Sequence, residues 1–113
     1  MGVIDYKEVK DWGDGIAVRK AIVIRPRDCD RVHLVDLANH LSRRFVLNPA
    51  VVINIFNDET AALAYDKQLG DEEQKEFALA HWPARYVKSW PVGLNELVFY
   101  PNCDHHKPER VAY

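Results

Sequence analysis

The amino-acid sequence predicts an α+β fold, a two-layer sandwich in which a mixed five-stranded sheet carries helices mainly on one face. Three observations support this prediction. Runs rich in β-branched and aromatic residues lie in pairs at both ends of the chain and once in its middle. Amphipathic helical periodicity fills the stretches between them. Turn-forming residues separate the segments, so residues 1–113 are predicted to form a single domain of order β-β-α-β-α-α-β-β.

The first two strands form a predicted hairpin. Residues Val3 to Trp12 mix β-forming and charged side chains, which is typical of an exposed strand. Gly13-Asp14-Gly15 predicts a turn, and the alternating pattern from Ile16 to Ile24 predicts the second strand. Pro26 closes the hairpin because proline cannot donate to a strand ladder.

The first helix and the central strand follow. Asp28 or Asp30 can cap the helix by accepting backbone N–H groups. One apolar face recurs at helical spacing and is formed by Leu34, Ala38, Leu41 and Phe45. Asn48-Pro49 ends this helix. The run from Val51 to Phe56 is apolar on nearly both faces, which predicts the central strand of the sheet.

Two more helices and a second hairpin complete the predicted order. The segment from Ala61 to Leu69 predicts a short helix that ends at Gly70. Asp71 to Gln74 resembles a capping box and begins a third helix, which ends near Trp82-Pro83. The last two strands are predicted at Ala84 to Trp90 and at Asn95 to Tyr100.

Composition limits the function classes. Hydrophobic residues make up 48% of the chain, so a core can form without a metal or a disulfide, and folding requires no cofactor. The net charge of −2 lacks the basic excess of a nucleic-acid-binding domain, so no nucleic-acid partner is expected. No run approaches the ~18 apolar residues of a membrane span. With two cysteines and no recognisable signal peptide, the chain is expected in the cytoplasm.

The central strand offers the best candidate for a small-molecule site. Asn54 interrupts a strand that otherwise favours burial on both faces, and a buried amide needs hydrogen-bond partners. Ligands of open α/β sheets bind beyond the carboxyl ends of the strands, where Asn57 and Asp58 follow. Tyr65 and Arg85 are predicted neighbours. The alternative is that Asn54 bonds to nearby backbone and that Asp58 caps a helix.

Only one of two cations on the fourth predicted strand can join this site. Arg85 and Lys88 are three positions apart, and successive side chains of a strand point to opposite faces. The sequence therefore places Arg85 and Lys88 on different sides of the sheet.

The polar C-terminal extension, residues 102–113, contains a candidate metal site. Thiolate and imidazole groups are ligands of zinc, so Cys103, His105 and His106 are the candidate ligands. Adjacent side chains point apart in an extended segment, so such a site would need a distant ligand such as Cys29. The alternative is a polar surface tail that binds no metal.

A second polar cluster lies on the first helix. Spacings of three, four and three residues place His33, Asp36, His40 and Arg43 on one helix face. Two imidazoles beside a carboxylate can bind a metal or transfer protons. The alternative is a solvated helix face, which has the same composition.

Two parts of the chain resemble a group of known sequences. One is Asn57-Asp58-Glu59-Thr60-Ala61-Ala62 after the central strand, and the other is His81 to Tyr86 with Gly93 to Leu97 and Tyr100-Pro101. Together they resemble small uncharacterised bacterial α+β proteins of the kind encoded by mobile integron gene cassettes. The resemblance spans mainly residues 50–101. It implies a fold and an origin, and it implies neither an activity nor catalytic residues.

The sequence contains no nucleophile motif, no phosphate-binding loop and no dinucleotide-binding glycine pattern. We therefore predict a non-catalytic binding or interaction domain that acts as a homodimer. Its predicted interface consists of aromatic residues of the outer strands, namely Trp12, Tyr86, Trp90, Phe99 and Tyr100. The alternative is a small acid–base or metal-assisted enzyme with a pocket at the C-terminal end of the central strand, at Asn54 and Asp58.

Overall fold

A computed structural model describes residues 5–13, 17–65 and 72–113, with side chains except at 64–65 and 72–75. The strands are β1 (Tyr6–Asp11), β2 (Ala17–Ile24), β3 (Ala50–Phe56), β4 (Ala84–Ser89), β5 (Leu94–Phe99) and β6 (Glu109–Ala112). The helices are α1 (Arg31–Arg44), α2 (Glu59–Tyr65) and α3 (Glu72–Ala80). The predicted α+β class and the mixed sheet are confirmed.

The strands follow chain order across one sheet, β1-β2-β3-β4-β5-β6. β2 and β3 are parallel, and every other neighbouring pair is antiparallel. A parallel pair needs a long crossover, which α1 provides. As a result β2, β3 and β5 end at the same edge of the sheet, and β4 begins there. We call this the carboxyl edge.

Several local signals of the sequence act as predicted. The Asp30 carboxylate accepts the backbone N–H of His33 at 2.8 Å, and α1 begins at the next residue after Asp30. Gly93 has a φ of 66°, in the left-handed region that favours glycine. The predicted turn residues Asp14-Gly15, the helix end at Gly70 and the cap at Asp71 lie outside the described residues.

The larger core lies between α1 and one face of the sheet, which we call the α1 face. From the helix, the buried residues are Leu34, Leu37, Ala38, Leu41 and Phe45. From the strands, the main contributions are Ile22, Val51, Ile53, Ile55, Tyr86 and Leu97. Full burial of one such aliphatic side chain contributes about 1.5–3 kcal/mol. The predicted apolar face of the first helix is therefore the main anchor of the sheet.

A smaller core lies on the opposite face, which we call the second face. Its buried residues are Ala21, Phe56, Ala61, Ala62 and Ala78, with Val9, Val23 and Trp82 at its border. The small alanine side chains allow α2 and α3 to lie close to the strands. The predicted two-layer arrangement with helices mainly on one face is therefore wrong. Because β2 and β3 are apolar on both sides, helices cover both faces.

The predicted number of five strands is also wrong, because β6 adds a sixth strand beside β5. Val111 packs against the core of the α1 face. The Tyr113 hydroxyl donates to the Val35 carbonyl of α1 at 2.9 Å. These contacts incorporate the end of the predicted polar extension into the sheet. The sequence pattern does not reveal this strand because Val111 is its one half-buried apolar side chain among exposed neighbours.

The predicted aromatic interface is not formed as a whole. Tyr86, Phe99 and Tyr100 are buried within the domain. Trp12 and Trp90 are exposed, and they are the two members of the predicted set that remain accessible. An interface between copies of the chain would therefore need a different surface.

Candidate functional site

The central strands bring Asn54 and Arg85 together. Asn54 of β3 pairs directly with Arg85 of β4. Such cross-strand partners project from the same face of the sheet, with Cβ atoms about 4.5–5.5 Å apart. This face is the second face, because Phe56 two positions after Asn54 belongs to the core beneath α2. Two of the predicted ligand-binding residues are thus neighbours.

Each of these two side chains carries a buried polar atom without a hydrogen-bond partner. Asn54 is only 6% exposed, and its Oδ1 atom accepts no hydrogen bond within the described residues. The Nε atom of Arg85 is also buried and donates none there. About 90% or more of buried polar groups in proteins are paired, and an unpaired one costs about 1–3 kcal/mol. Neighbouring strands therefore carry a buried acceptor and a buried donor that both lack a partner among the described residues.

The charge of Arg85 also lacks a counter-ion among the described residues. That part of the chain contains no ion pair or hydrogen bond of the Arg85 side chain. On the same face, the Glu96 carboxylate of β5 forms an ion pair with Arg110. Arg85 is half-buried, so part of the residue stays in contact with solvent. Within the described residues, the sheet thus presents a cation that is not neutralised.

Aromatic rings form a wall at the carboxyl edge beside these residues. The Trp82 ring stacks on the Phe56 ring, with centroids 5.7 Å apart and planes 19° apart. On its other side the Trp82 ring lies 4.8 Å from the His105 imidazole. His105 in turn stacks on Tyr100 at 3.9 Å. We call Phe56, Trp82, Tyr100 and His105 the aromatic wall.

His105 anchors the C-terminal segment to this wall as a neutral imidazole. Its Nε2 atom donates to the Trp82 carbonyl at 2.9 Å, and a carbonyl can only accept, so Nε2 carries the hydrogen. Burial lowers the pKa of His105, and the nearby positive charge of Arg85 lowers it further. Hydrogen bonds to the carbonyls of Trp82 and Leu79, and the charge of Asp104, oppose this shift.

The predicted residues after β3 are engaged in local structure. The Asn57 backbone N–H donates to the His81 carbonyl at 2.9 Å, and the Asn57 Oδ1 atom lies 2.9 Å from His81 Nδ1. The Asp58 carboxylate accepts the Ala61 N–H at 2.9 Å and caps α2. Asn57 and Asp58 thus tie the end of β3 to α2 and to the end of α3. The Tyr65 side chain lies outside the described residues.

Both cysteines lie at the carboxyl edge as free, half-buried thiols. Burial raises the pKa of Cys29 to about 11, and the nearby Cys103 contributes to this increase, while a hydrogen bond with the Asn57 side chain opposes it. Burial also raises the pKa of Cys103. At neutral pH both groups stay protonated, and the thiolate is the form that attacks an electrophile. Neither cysteine is therefore an activated nucleophile.

The candidate metal ligands are not brought together as a binding group. Among the described residues, no cluster of three or more His, Cys, Asp or Glu side chains is placed to hold a metal ion. His105 is held in the aromatic wall. His106 is exposed, and its backbone N–H donates to the Asp104 carboxylate at 3.0 Å.

The polar residues of the first helix also have separate partners. The His33 Nδ1 atom lies 2.7 Å from the Asp30 carboxylate that caps α1. The His40 Nε2 atom lies 3.4 Å from the Tyr6 hydroxyl of β1. The two imidazoles thus stabilise different contacts of α1, and Asp36 is exposed.

Sequence reasoning missed the aromatic wall and the role of Lys88. His105 was considered only as a metal ligand, and Trp82 only as the end of a helix. Two signals were available. Trp82 is a large aromatic side chain of the kind that dominates cores, and the period of two along a strand placed Lys88 on the face opposite Arg85.

Comparisons with protein-family models, with curated proteins and with solved structures found no match to this chain. The resemblance to integron-cassette proteins therefore stays a prediction. No helix in the described ranges is long and apolar enough to cross a membrane.

Proposed function

We propose that this chain is a non-catalytic binding domain that holds a small polar ligand on the second face of its sheet, against Asn54 and Arg85. One observation carries the proposal. Asn54 Oδ1 and Arg85 Nε are buried and without partners in the described residues, and the two residues are cross-strand neighbours. A ligand with one donor and one acceptor would pair both atoms and recover the cost of leaving them unpaired.

Binding accounts for the chemistry of this edge better than catalysis does. The thiols are held protonated, the Asp58 carboxylate caps a helix, and His81 is paired with Asn57. The acid–base alternative at Asn54 and Asp58 would need a carboxylate that is available for proton transfer. Asp58 is engaged as a cap, so this alternative has no supporting observation.

The ligand site is tested by ¹H–¹⁵N NMR of the wild-type chain against a library of neutral, cationic and anionic metabolites. We expect one class of compounds to shift the Asn54 side-chain amide signals and the Arg85 Nε–H signal together. Asn54→Val should abolish the response. Arg19→Gln is the matched control, because Arg19 is an exposed cation of β2 on the same face. A library without any shift at these signals would overturn the proposal.

A second candidate function is self-association through an apolar surface at the edge opposite the carboxyl edge. We call Val46, Leu47, Trp90 and Val92 the apolar rim. Their exposed fractions range from 55% for Trp90 to 83% for Leu47. The Trp90 backbone N–H donates to the Pro49 carbonyl at 2.9 Å, which joins the two loops. Exposed apolar clusters on ordered backbone are typical of interaction sites.

In this candidate function, the partner of the apolar rim is a second copy of the chain. The rim side chains are uncharged, and a self-complementary apolar patch favours a twofold dimer. We expect a dimer by size-exclusion chromatography with light scattering, and we expect a monomer after Leu47→Gln combined with Trp90→Gln. Val32→Gln is the control, since Val32 is 71% exposed on α1 and outside the rim. A wild-type monomer at millimolar concentration would contradict this candidate.

A further inference from the structure

We propose that the ligand at Asn54 and Arg85 is a small carboxylate with a hydrogen-bond donor, a hydroxyl or an amino group, on the carbon next to the carboxylate. This inference rests on the ligand site proposed above. It adds the chemical class of the ligand, and three features of the site carry it: the charge of Arg85, its buried Nε donor without a partner in the described residues, and the cross-strand pairing of Arg85 with Asn54, whose acceptor is likewise without a partner there.

The charge and the Nε atom of Arg85 select an anion. A guanidinium without a counter-ion is matched by an oxyanion, and planar carboxylates bind arginine through two parallel N–H bonds. In the side-on form of this pair, one oxygen accepts from Nε and the other from an outer amino group. Arg85 Nε is the buried unpaired atom, and the residue is half-buried, so the outer part of the group can be reached.

The Asn54 Oδ1 atom selects a donor close to that carboxylate. The two side chains start about 4.5–5.5 Å apart on neighbouring strands, so one ligand must reach both with groups on adjacent atoms. A 2-hydroxy or 2-amino carboxylate has this spacing. Sulfate has only acceptors at neutral pH, and it would place an oxygen against the acceptor of Asn54.

The surface beside the site determines the rest of the ligand. Val52 and Val87 pair with each other on the second face, two positions from Asn54 and Arg85, and both are half-buried. A short hydrocarbon chain on the ligand would cover them. Each buried methylene contributes about 0.8 kcal/mol, which corresponds to about fourfold in affinity. Longer 2-hydroxy carboxylates should therefore bind more tightly than glycolate.

The test is an NMR titration of the wild-type chain with four matched probes: 2-hydroxybutyrate, butyrate, 2-hydroxybutyramide and sulfate. We expect 2-hydroxybutyrate to shift the Arg85 Nε–H and the Asn54 amide signals. Butyrate lacks the donor and should bind about tenfold more weakly. The neutral amide should bind at least as weakly as butyrate. Sulfate binding as tight as that of 2-hydroxybutyrate would overturn the assignment.

Two variants connect the result to the site. Arg85→Gln should abolish 2-hydroxybutyrate binding, whereas Arg19→Gln should leave it unchanged within twofold. Equal weakening by both variants would indicate a general charge effect and would overturn the inference. Circular dichroism and thermal unfolding confirm that each variant is folded. If Arg85→Gln does not fold, Asn54→Val is used in its place. Loss of 2-hydroxybutyrate binding in Asn54→Val would support the inference, and retained binding in this variant would contradict it.

The outcomes separate the two proposals. If neutral compounds shift the Asn54 signals and carboxylates do not, the ligand site is supported and the proposal that its ligand is a carboxylate is rejected. Silence of every compound in the library and of all four probes would reject both.

Discussion

Two cations of β4, Arg85 and Lys88, lie three residues apart and project from opposite faces of the sheet into different surroundings. Lys88 projects into the α1 face, is 6% exposed, and its Nζ atom donates to the carbonyls of Phe45 at 3.0 Å and Val46 at 2.9 Å. Arg85 projects from the second face and is less buried, yet its Nε atom has no partner in the described residues. The more deeply buried cation is the one with partners. Burial alone therefore does not distinguish the two cations, whereas the presence or absence of partners in the described residues does.

Lys88 has its partners because it lies at a helix end. The last carbonyls of an α-helix have no partner within the helix, and a cation there is favoured by the helix dipole. The Trp90 ring, 5.3 Å from Nζ, adds a cation–π contact. Lys88 thus joins β4 to the end of α1 through two of its three N–H donors. Its role is structural, whereas the role that we propose for Arg85 is recognition.

The largest expected effect follows from this role of Lys88. Lys88→Met keeps the apolar stem but removes two charge-assisted hydrogen bonds, which leaves the Val46 carbonyl without this donor and the Phe45 carbonyl with the Asn48 N–H alone. We expect the free energy of unfolding to fall by about 3 kcal/mol, measured by urea denaturation.

The control for this variant is Lys7→Met. Lys7 forms an exposed ion pair with Glu59, and such pairs contribute about 0–1 kcal/mol. A loss of similar size in both variants would mean that Lys88 acts as an ordinary surface charge, and the contrast with Arg85 would lose its basis.

A smaller effect is expected at His105, beside Arg85. The pKa of His105 is lowered in the folded protein from its ordinary value of 6.5, so the unfolded chain binds the proton more readily. The stability that His105 contributes is complete above pH 6.5. It is lost as the pH falls through the lower pKa of the folded protein, because protonation charges a half-buried imidazole and also places a second positive charge near Arg85.

This pH dependence is measured by urea unfolding of the wild type and His105→Gln between pH 7.5 and 5. Glutamine keeps a donor for the Trp82 carbonyl but cannot be protonated in this range. We expect the wild type to lose stability below pH 6.5 and the variant to lose less. Parallel curves would show that other groups cause the loss.

The sequence predicted one half of the contrast between the two cations. The period of two along a strand places Arg85 and Lys88 on opposite faces, and an amide within an apolar run marks Asn54 as unusual. Which of the two cations shares a face with Asn54 depends on the register of β3 against β4. Register is a long-range property that neither strand encodes alone, so the pairing needed the structure.

The errors at the level of the fold have a similar origin. Hydrophobic periodicity predicted α1 well because its apolar face is large and continuous. Helices α2 and α3 cover the second face mainly through alanines, and such small side chains give a weak periodic signal. The sequence therefore did not predict a helical layer on this second face. β6 is short and charged, and it forms because the edge of β5 and the Val35 carbonyl are available to it.

The smallest expected effect gives the most direct test of the contrast. Arg85→Met keeps a long apolar stem over the second face and removes a buried donor that has no partner within the described residues. Deletion of an unpaired buried group loses no protein hydrogen bond and removes the cost of leaving it unpaired, so we expect the free energy of unfolding to stay the same or to rise by about 1 kcal/mol. Lys88→Met, measured side by side in the same urea series, should instead lower it by about 3 kcal/mol. If Arg85→Met were as destabilising as Lys88→Met, the Arg85 guanidinium would contribute to folding, and its missing partner could no longer be read as a place for a ligand.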